Sequence, residues 1–493
     1  MLPLAPVLVP LLTALLTASL PHHPRLRGIT SLAGALALLA SAVALFLHVH
    51  QDGAMSVALG NWPLPYAIEF VADGLGTALV LTAALLGLCV IAHALATAAG
   101  TEPAEQARAG LHPLLHALLA AVMAVFLAGD LFNLYVWFEL MLIATLGLLV
   151  LGAERRHAEA ALKYFATSML GTLLMLAAVG LIYGATGHLN FSALQGAMRD
   201  PQVAAALPAP VTLLLLALLL KAGVFPLFLW LPASYHTLPA AALALIGGLL
   251  TKVALYVVMR LLGGVFAGMP GLLAEALGWL AVITMISGVL GAAYHWDIRR
   301  ILAFHIVSQI GYLLLGVALA SPAGAAGTAF FLVHNVLVKA QLFLICALIW
   351  MAAGHHDLRR IGGLYVARPL LAVLFLIGAF SLVGVPPSSG FWGKLLLVRE
   401  AFAQDRLVWG GAALGVGLLT LYSMSKIWLE GFWKPHPAAR PEGAPAHAAL
   451  HPAAYAGVLA LTVPIVALGL YPEAALRHLE LATQTLWLVG GPR

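Results

Sequence analysis

Four lysines lie inside long, otherwise apolar stretches of the chain: Lys221, Lys252, Lys339 and Lys394. An ammonium group in the hydrocarbon of a membrane is unfavourable by about 2.5 kcal/mol or more, so four of them require a reason. Ionisable side chains at membrane depth usually mark a path for ions or protons. The lysines therefore predict a transport function.

One carboxylate, Glu139, lies in the middle of the apolar segment LFNLYVWFELMLIATLGLLVLG, which holds no opposite charge. A bare carboxylate there would be neutralised or would pair with a cation on a neighbouring helix, and Lys221 is the natural candidate. An ion pair keeps both groups charged, whereas separating the partners favours release of the ammonium proton. The pair is predicted to act as a proton gate. The alternative is a static salt bridge that serves packing.

Further ionisable residues continue the series along the chain: Lys252, His305, His334, Lys339 and Lys394. His334 and Lys339 are five residues apart, about 500° of helical turn, so they project from different faces of one helix. Histidine, and lysine when desolvated, titrate near neutral pH and can relay protons. The series predicts a proton relay that ends at Lys394. For each histidine the alternative is a hydrogen-bonded packing role.

The composition decides the class of protein that must position these residues. The chain has 493 residues, of which 62% are hydrophobic and 9% charged, and its mean hydropathy is +1.01. Soluble domains carry about a quarter charged residues, so only an all-α polytopic membrane protein fits. Cys89 and Cys346 are isolated in apolar segments, which excludes a disulfide framework or a zinc ribbon. No phosphate loop, dinucleotide fingerprint or nucleophile elbow occurs in the sequence, so we expect no enzyme, cofactor or metal.

Apolar runs that could cross a bilayer need about 20 residues each. Fourteen are predicted: 3–20, 28–49, 66–98, 111–128, 130–151, 158–185, 209–232, 239–264, 272–294, 298–320, 324–352, 368–400, 407–433 and 451–471. The stretch 111–151 is interpreted as two helices with a tight turn at Gly129 and Asp130, because forty residues are twice one span. Glu69 and Asp73 are expected near a helix start, where carboxylates suit the dipole.

The basic residues between these segments predict the orientation. Twelve follow odd-numbered helices: Arg25, Arg27, Arg108, Arg155, Arg156, Arg299, Arg300, Arg359, Arg360, Arg368, Lys434 and Arg440. Four follow even-numbered helices: Arg199, Arg260, Arg399 and Arg406. The excess places the odd loops in the cytoplasm and both termini outside it, in the inner (cytoplasmic) membrane. The net charge of +5 thus indicates topology rather than nucleic-acid binding.

Two predicted helices are interrupted beside a lysine: 209–232, where Gly223 and Pro226 follow Lys221, and 368–400, where Gly384, Pro386 and Pro387 precede Lys394. Proline removes a backbone donor and clashes with the preceding turn. Non-helical backbone at membrane depth is tolerated only inside protein or beside a water-filled cavity. Paired interruptions are typical of transporters built from inverted repeats. A pair of kinked packing helices is the alternative.

Six segments together resemble the antiporter-like membrane subunits: GDLFNLYVWFELMLIATLGLLVLG, KAGVFPLFLWLP, GGLLTKVALYVVMR, RRILAFHIVSQIGYLLLG, FFLVHNVLVKAQLFL and VPPSSGFWGKLLL. That family is shared by Mrp-type multisubunit cation/proton antiporters, NADH–quinone oxidoreductase and membrane-bound hydrogenases. The resemblance covers about residues 65–435, with the six motifs in family order. The length and the segments around Glu139 and His305 are most similar to the D subunits of Mrp-type antiporters.

The resemblance implies fourteen helices with two inverted five-helix repeats, helices 4–8 and 9–13, in which helices 7 and 12 are broken. The corresponding units are 1–98, 111–264, 272–433 and 451–493. It also implies a role for six residues that match the family positions: Glu139, Lys221, Lys252, His305, Lys339 and Lys394. His236 and Thr237 stand where the family often has an Ala-Pro-Pro or Ala-Pro-Thr run, which puts a polar role at that turn in doubt.

The expected function is therefore a proton-translocating subunit of a multisubunit monovalent cation (Na⁺ or K⁺)/proton antiporter. Its partners would be other membrane subunits, the lipid bilayer, protons and monovalent cations. Protons would enter near Lys221 and Glu139 and leave through Lys394. The sequence leaves two alternatives open: a proton-pumping subunit of a redox-driven complex, and a scaffold that keeps the fold but conducts nothing.

Overall fold

The computed structural model describes residues 1–97, 109–152, 154–267, 271–436 and 450–488 and is mostly helical. The helices up to residue 260 are α1 (Ala5–Ala18), α2 (Pro24–Asp52), α3 (Gly74–Thr97), α4 (Leu111–Leu127), α5 (Leu131–Val150), α6 (Arg155–Thr186), α7 (Phe191–Ala197), α8 (Pro201–Ala206), α9 (Pro208–Ala222), α10 (Trp230–Ser234) and α11 (Ala240–Arg260). The later helices are α12 (Gly271–Tyr294), α13 (Ile298–Ala318), α14 (Pro322–Ala353), α15 (Leu364–Ala367), α16 (Pro369–Val383), α17 (Ser389–Ala403), α18 (Leu407–Ile427), α19 (Ala456–Leu470) and α20 (Glu473–Leu488).

Within the described residues, ten helices are long and apolar enough to cross a membrane. Four shorter apolar helices accompany them: Leu2–Ala18, Leu111–Leu127, Pro208–Ala222 and Pro369–Val383. Helices with apolar residues all round are typical of membrane spans, since both the lipid and the protein interior favour them. These features make the chain a multi-pass membrane protein.

The centre of the molecule is formed by α11, α13 and α14, whose side chains are almost all buried. α11 packs against α14, and α13 contacts both. Helices such as α2, α6 and α18 instead expose leucines along one side, as expected where lipid or another subunit covers them. The three central helices carry Lys252, His305, His334 and Lys339, so these ionisable groups lie in the most enclosed part of the protein.

The predicted start of the third span, residue 66, is wrong. Strand β1 (Met55–Ala58) pairs antiparallel with strand β2 (Glu69–Ala72), and α3 begins only at Gly74. A short apolar run such as Phe70–Ala72 does not distinguish a strand from a buried helical turn by periodicity, and pairing with β1 decides it here. Glu69 is therefore a strand residue. Burial raises the pKa of its carboxyl group, against hydrogen bonds from Asn190 and Ser56.

Asp73 does lie at a helix start, as expected, because its Oδ1 accepts a hydrogen bond of 2.7 Å from the Gly76 N–H. The turn between α4 and α5 is also present, with Asp130 as the cap that accepts from Asn133 N–H at 2.7 Å. Gly129 permits this turn to lie against the hairpin, since a Cβ there would come within 2.8 Å of Val71 Cγ2. The forty-residue stretch is thus two helices.

The segment after Pro472 forms α20, which packs against α3 and α14. Leu479, Ala482 and Thr483 are buried there, whereas Leu481 is exposed. The described residues do not include Arg108 and Arg440, which count toward the predicted orientation, or most of the connection between Lys434 and His451.

Candidate functional site

The first interruption follows α9, which ends at Ala222. Gly223 adopts a left-handed conformation with φ +76°, which favours glycine. The chain then stays irregular until α10 begins at Trp230. The Trp230 indole donates to the Leu220 carbonyl at 3.3 Å and so ties the second piece to the end of the first. Lys221 lies in the last turn of α9, where a cation suits the carbonyl end of the helix dipole.

Lys221 and Glu139 come together through a third residue, Thr172 of α6. Lys221 Nζ donates to Thr172 Oγ1 at 3.0 Å, and Thr172 Oγ1 donates to Glu139 Oε1 at 2.5 Å. Among the described residues neither charged group forms an ion pair within 4.0 Å, so the hydroxyl is the connection between them. The sequence predicted the two ends of this arrangement and missed its centre. The sequence carries no signal that selects this threonine, since other threonines, such as Thr145 and Thr167, also lie in apolar segments.

A cavity of about 20 Å³ lies beside Lys221. Its lining includes the Tyr164 ring, Ser168, Trp230 and Leu250 of α11. A volume of about 10–15 Å³ is enough to hold one water molecule. The cavity is lined by Lys221 and by Leu250 of α11, the helix that carries Lys252, so it offers room for one water molecule beside Lys221.

Lys252 is fully buried on α11, and its Nζ donates to the Gly247 carbonyl at 2.6 Å. Gly247 cannot carry a side chain without displacing the Phe343 ring, which would lie 2.4 Å from a Cβ. The close packing of α11 on α14 thus fixes the helix segment that carries this lysine and its acceptor.

His305 and His334 each contact a serine on a distant helix. One nitrogen of His305, Nε2, lies 2.6 Å from Ser423 Oγ on α18, and His334 Nδ1 lies 2.8 Å from Ser389 Oγ at the start of α17. The other ring nitrogen of each histidine is buried and makes no hydrogen bond with any described residue. Since buried polar atoms are normally satisfied, these nitrogens are available for a water molecule or a proton.

Lys339 is completely buried, and within the part of the chain that the structure describes its Nζ has no hydrogen-bond partner. Its helix, α14, also carries His334 and packs against α11, which carries Lys252. α14 packs in the same way against α13, which carries His305, and against α17, which carries Lys394. The structure therefore brings the predicted residues of α11, α13, α14 and α17 into one buried cluster.

The second interruption lies between α16 and α17, where Gly384 has φ +88°. Lys394 of α17 folds back toward it, and its Nζ donates to the carbonyls of Leu382 at 3.0 Å and Val383 at 2.8 Å. The ammonium group also lies 4.7 Å from the centre of the Tyr312 ring, a cation–π distance. Lys394 therefore satisfies the exposed carbonyl end of α16.

The two interruptions have the same local pattern. Gly223-Val224-Phe225-Pro226 and Gly384-Val385-Pro386-Pro387 both begin with a left-handed glycine, and the peptide bond before the last proline is cis in both. Aligned in this way, Lys221 matches Leu382. Lys221 and Lys394 therefore do not occupy equivalent positions when the two interruptions are aligned. Their ammonium groups nonetheless reach the same end of their half-helices, because Lys394 binds the carbonyl of Leu382.

Gly384→Ala is expected to disturb Lys394. A side chain at φ +88° is strained by about 1–2 kcal/mol, and its Cβ would lie 3.0 Å from Lys394 Cδ. We expect a lower unfolding temperature of the purified protein. Gly411→Ala on α18 is the control, since a Cβ there meets nothing within 4 Å. Equal unfolding temperatures for the two variants would contradict this account of the second interruption.

The ion pair between Arg260 and Asp73 was not predicted from the sequence, where Arg260 counted as a loop charge. Arg260 is the last residue of α11, and its NH2 lies 2.6 Å from Asp73 Oδ2 at the start of α3. Its NH1 donates to the Tyr256 hydroxyl at 2.8 Å, and Tyr256 donates to the Phe126 carbonyl at 2.8 Å. The signal was the spacing of four that places Lys252, Tyr256 and Arg260 on one face of a helix.

His236 lines a polar cavity of about 400 Å³ near the end of α10, together with Glu159, Lys163, His295 and Arg300. Burial and the Arg300 charge lower the pKa of His236 to about 4. Lys163 is exposed there, in the ninth position of α6, whereas Lys339 is the eighteenth residue of α14. The two lysines therefore do not occupy matching positions in their helices, and Thr172 holds the eighteenth position of α6.

Comparisons with known proteins agree on one family. The model described as NADH:quinone oxidoreductase/Mrp antiporter, TM, matches residues 128–420. The chain is similar to the D subunit of the Na(+)/H(+) antiporter of Alkalihalophilus pseudofirmus, with 37% identity over 87% of this chain and 86% of that protein. It is also similar to a chain of the Mrp complex from a Dietzia species, with a TM-score of 0.89, 33% identity and coverage of 99% and 97%. A chain of respiratory complex I from Thermus thermophilus matches with a TM-score of 0.85, 25% identity and full coverage of both chains.

Proposed function

Because the chain belongs to the NADH:quinone oxidoreductase/Mrp antiporter family of transmembrane proteins, we propose that it is a membrane subunit of a multisubunit monovalent cation/proton antiporter and that it conducts protons. The relatives named as antiporter subunits make it a transporter subunit rather than a catalytic enzyme. The observation that carries proton conduction is Lys339, a buried lysine whose Nζ has no hydrogen-bond partner among the described residues. Its helix packs against the two helices that carry the buried Lys252 and Lys394.

The proposed route enters at the group formed by Glu139, Thr172 and Lys221. It continues through Lys252 to the cluster around Lys339, where His305 and His334 present unpaired ring nitrogens, and it leaves at Lys394. Side chains that do not contact each other need hydrogen-bonded water between them, since a proton moves only over such distances. The cavity beside Lys221 supports one such position.

The proposed membrane topology has fourteen crossings, in which α9 with α10 and α16 with α17 each form one broken crossing. The matching interruptions support two inverted repeats over 111–264 and 272–433, with 1–98 and 451–493 as flanking units. The excess of basic residues after odd-numbered crossings supports termini outside the cytoplasm, in the inner membrane.

Other membrane subunits are the proposed partners, as in the complex that contains the similar Dietzia chain. Glu139 is only half-buried, although it lies mid-way along a membrane helix. A carboxylate facing hydrocarbon is unfavourable, so a neighbouring subunit covering this face would complete its surroundings. The exchanged cation is Na⁺ or K⁺, and the bilayer covers the remaining apolar surface.

A second candidate function is proton pumping in a redox-driven respiratory complex. The similarity to a complex I chain over the full length of both chains supports it. Purification of the native complex separates the two, since quinone- or iron–sulfur-binding partners would support the second candidate and small antiporter subunits the first.

Lys221→Met in the assembled complex tests proton conduction. Methionine keeps the length of the side chain without its charge, so cation/proton exchange in membrane vesicles is expected to fall by about 100-fold or more. Lys434→Met is the control and should exchange at the normal rate, since Lys434 lies seven residues beyond the end of α18 and pairs with Glu430. Normal exchange by Lys221→Met would leave the scaffold role as the explanation for this subunit.

A further inference from the structure

The Thr172 side chain contacts both charged residues of the proposed entry, Lys221 and Glu139. Its hydroxyl has one hydrogen to donate and two lone pairs to accept with. In the structure the hydrogen serves Glu139 at 2.5 Å and a lone pair serves Lys221 at 3.0 Å. Both contacts join different helices, α5 and α9, to α6. The hydroxyl therefore donates to one ionisable group and accepts from the other.

We infer that the Thr172 hydroxyl carries the proton between Lys221 and Glu139, so that the pair exchanges a proton without direct contact. This inference rests on the proposed function, and it assigns the chemistry of the entry to a residue that is not ionisable itself.

The transfer balances as a relay over one hydroxyl. The Lys221 ammonium N–H bond breaks as a new O–H bond forms on Thr172. The original Thr172 O–H bond breaks as an O–H bond forms on Glu139. The products are a neutral amine and a neutral carboxylic acid, with the hydroxyl reversed so that it now donates to Lys221 and accepts from Glu139. The reverse step restores the charged pair, and no other reactant is consumed.

The packing of α6 holds the hydroxyl in this place. A Cβ at Gly171 would lie 3.1 Å from Leu220 Cδ2 and 3.4 Å from Lys221 Cγ, so glycine allows α6 to approach α9 closely. Thr172 itself is almost completely buried, so its side chain has little room to move. A β-branched side chain has few rotamers in a helix, which keeps the hydroxyl aligned with both partners.

The position within the helix supports a role in transfer. α6 and α14 are both 32 residues long, and Thr172 and Lys339 are each the eighteenth residue. If the two helices correspond as repeats, a hydroxyl in the first half stands where the second half has an ammonium group. The first half then has a hydroxyl, Thr172, between Lys221 and Glu139, whereas the second half has an ionisable group, Lys339, at the same position.

The test compares Thr172→Val, Thr172→Ser and Thr167→Val in the assembled complex. Valine keeps the shape and removes the hydroxyl, so exchange in vesicles is expected to slow by about tenfold or more. Serine restores the hydroxyl and is expected to restore most of the rate. Thr167 lies on the same helix but donates only to the Lys163 carbonyl of its own chain segment, at 3.1 Å, so its valine variant should exchange normally.

A double variant separates transfer from packing. If Thr172 connects the charges, adding Glu139→Gln to Thr172→Val should slow exchange little further, whereas Glu139→Gln alone should slow it strongly. Additive losses, or a serine variant as slow as the valine one, would overturn the inference in favour of a packing role. Normal exchange by Thr172→Val together with inactive Lys221→Met would remove only this inference, while an active Lys221→Met would remove the proposed function as well.

Discussion

Lys394→Arg is expected to stop cation/proton exchange in the assembled complex while leaving its fold intact. Arginine can still donate to the Leu382 and Val383 carbonyls that Lys394 binds. Its guanidinium group does not release its proton in proteins, so the relay would end at a permanently charged residue. We expect the exchange rate in vesicles to fall by about 100-fold or more, with the unfolding temperature close to that of the native protein.

Lys426 provides a matched control for this variant. It also donates to two carbonyls near a helix end, those of Ala293 and His295, each at 2.6 Å, and it lies over the Trp296 ring. Lys426→Arg keeps the positive charge and changes the same chemistry at a residue through which the proposed route does not pass, so this variant should exchange normally. A Lys394→Arg protein with normal exchange would show that Lys394 caps α16 without passing on a proton.

Arg260→Met and Asp73→Asn are each expected to destabilise the protein by about 3–5 kcal/mol, because each leaves one buried charge without its partner. The two residues join the end of α11 to the start of α3. Asparagine can still cap α3 as Asp73 does, so the loss would come from the ion pair rather than from the helix start. Denaturant or thermal unfolding in detergent, together with the yield of assembled complex, measures the effect.

The double variant Asp73→Asn with Arg260→Met tests whether the unpaired charge causes the destabilisation. Removing both charges leaves neither buried and unpaired, so its stability should lie well above that of either single variant. If the two losses simply added, the pair would not be the source of the destabilisation. Arg477→Met is a suitable control, since Arg477 pairs with Glu473 on the exposed side of α20 and such pairs contribute about 0–1 kcal/mol.

The sequence could predict much of this protein from properties that are local in the chain. Low charge and long apolar runs indicate a membrane protein, because each span must satisfy its own backbone and face lipid or protein. Glycine and proline beside a lysine indicate the interruptions at Gly223 and Gly384, because those residues restrict the backbone wherever they occur. The start of α3 was misplaced since a four-residue strand is decided by its partner β1, which periodicity does not report.

The sequence also showed which ionisable residues are buried, but it did not show their hydrogen-bond or ion-pair partners. Four lysines, Glu139 and two histidines stand out because an ionisable residue in the apolar interior of a membrane is unfavourable. Their contacts depend on how helices pack: Thr172 is 49 residues from Lys221, and Asp73 is far from Arg260 in the chain. Threonine is not unusual in an apolar helix, so composition gave no reason to select this one.

By itself the sequence determined that buried ammonium groups must lie in a membrane and that two helices must break beside them. Only the tertiary structure decided what each ammonium group binds. Lys221 reaches a hydroxyl, Lys394 reaches the carbonyl end of α16, and Lys339 reaches no described partner. The physical reason is that the cost of burying a charge belongs to the residue, whereas the interaction that offsets it belongs to neighbours supplied by other helices.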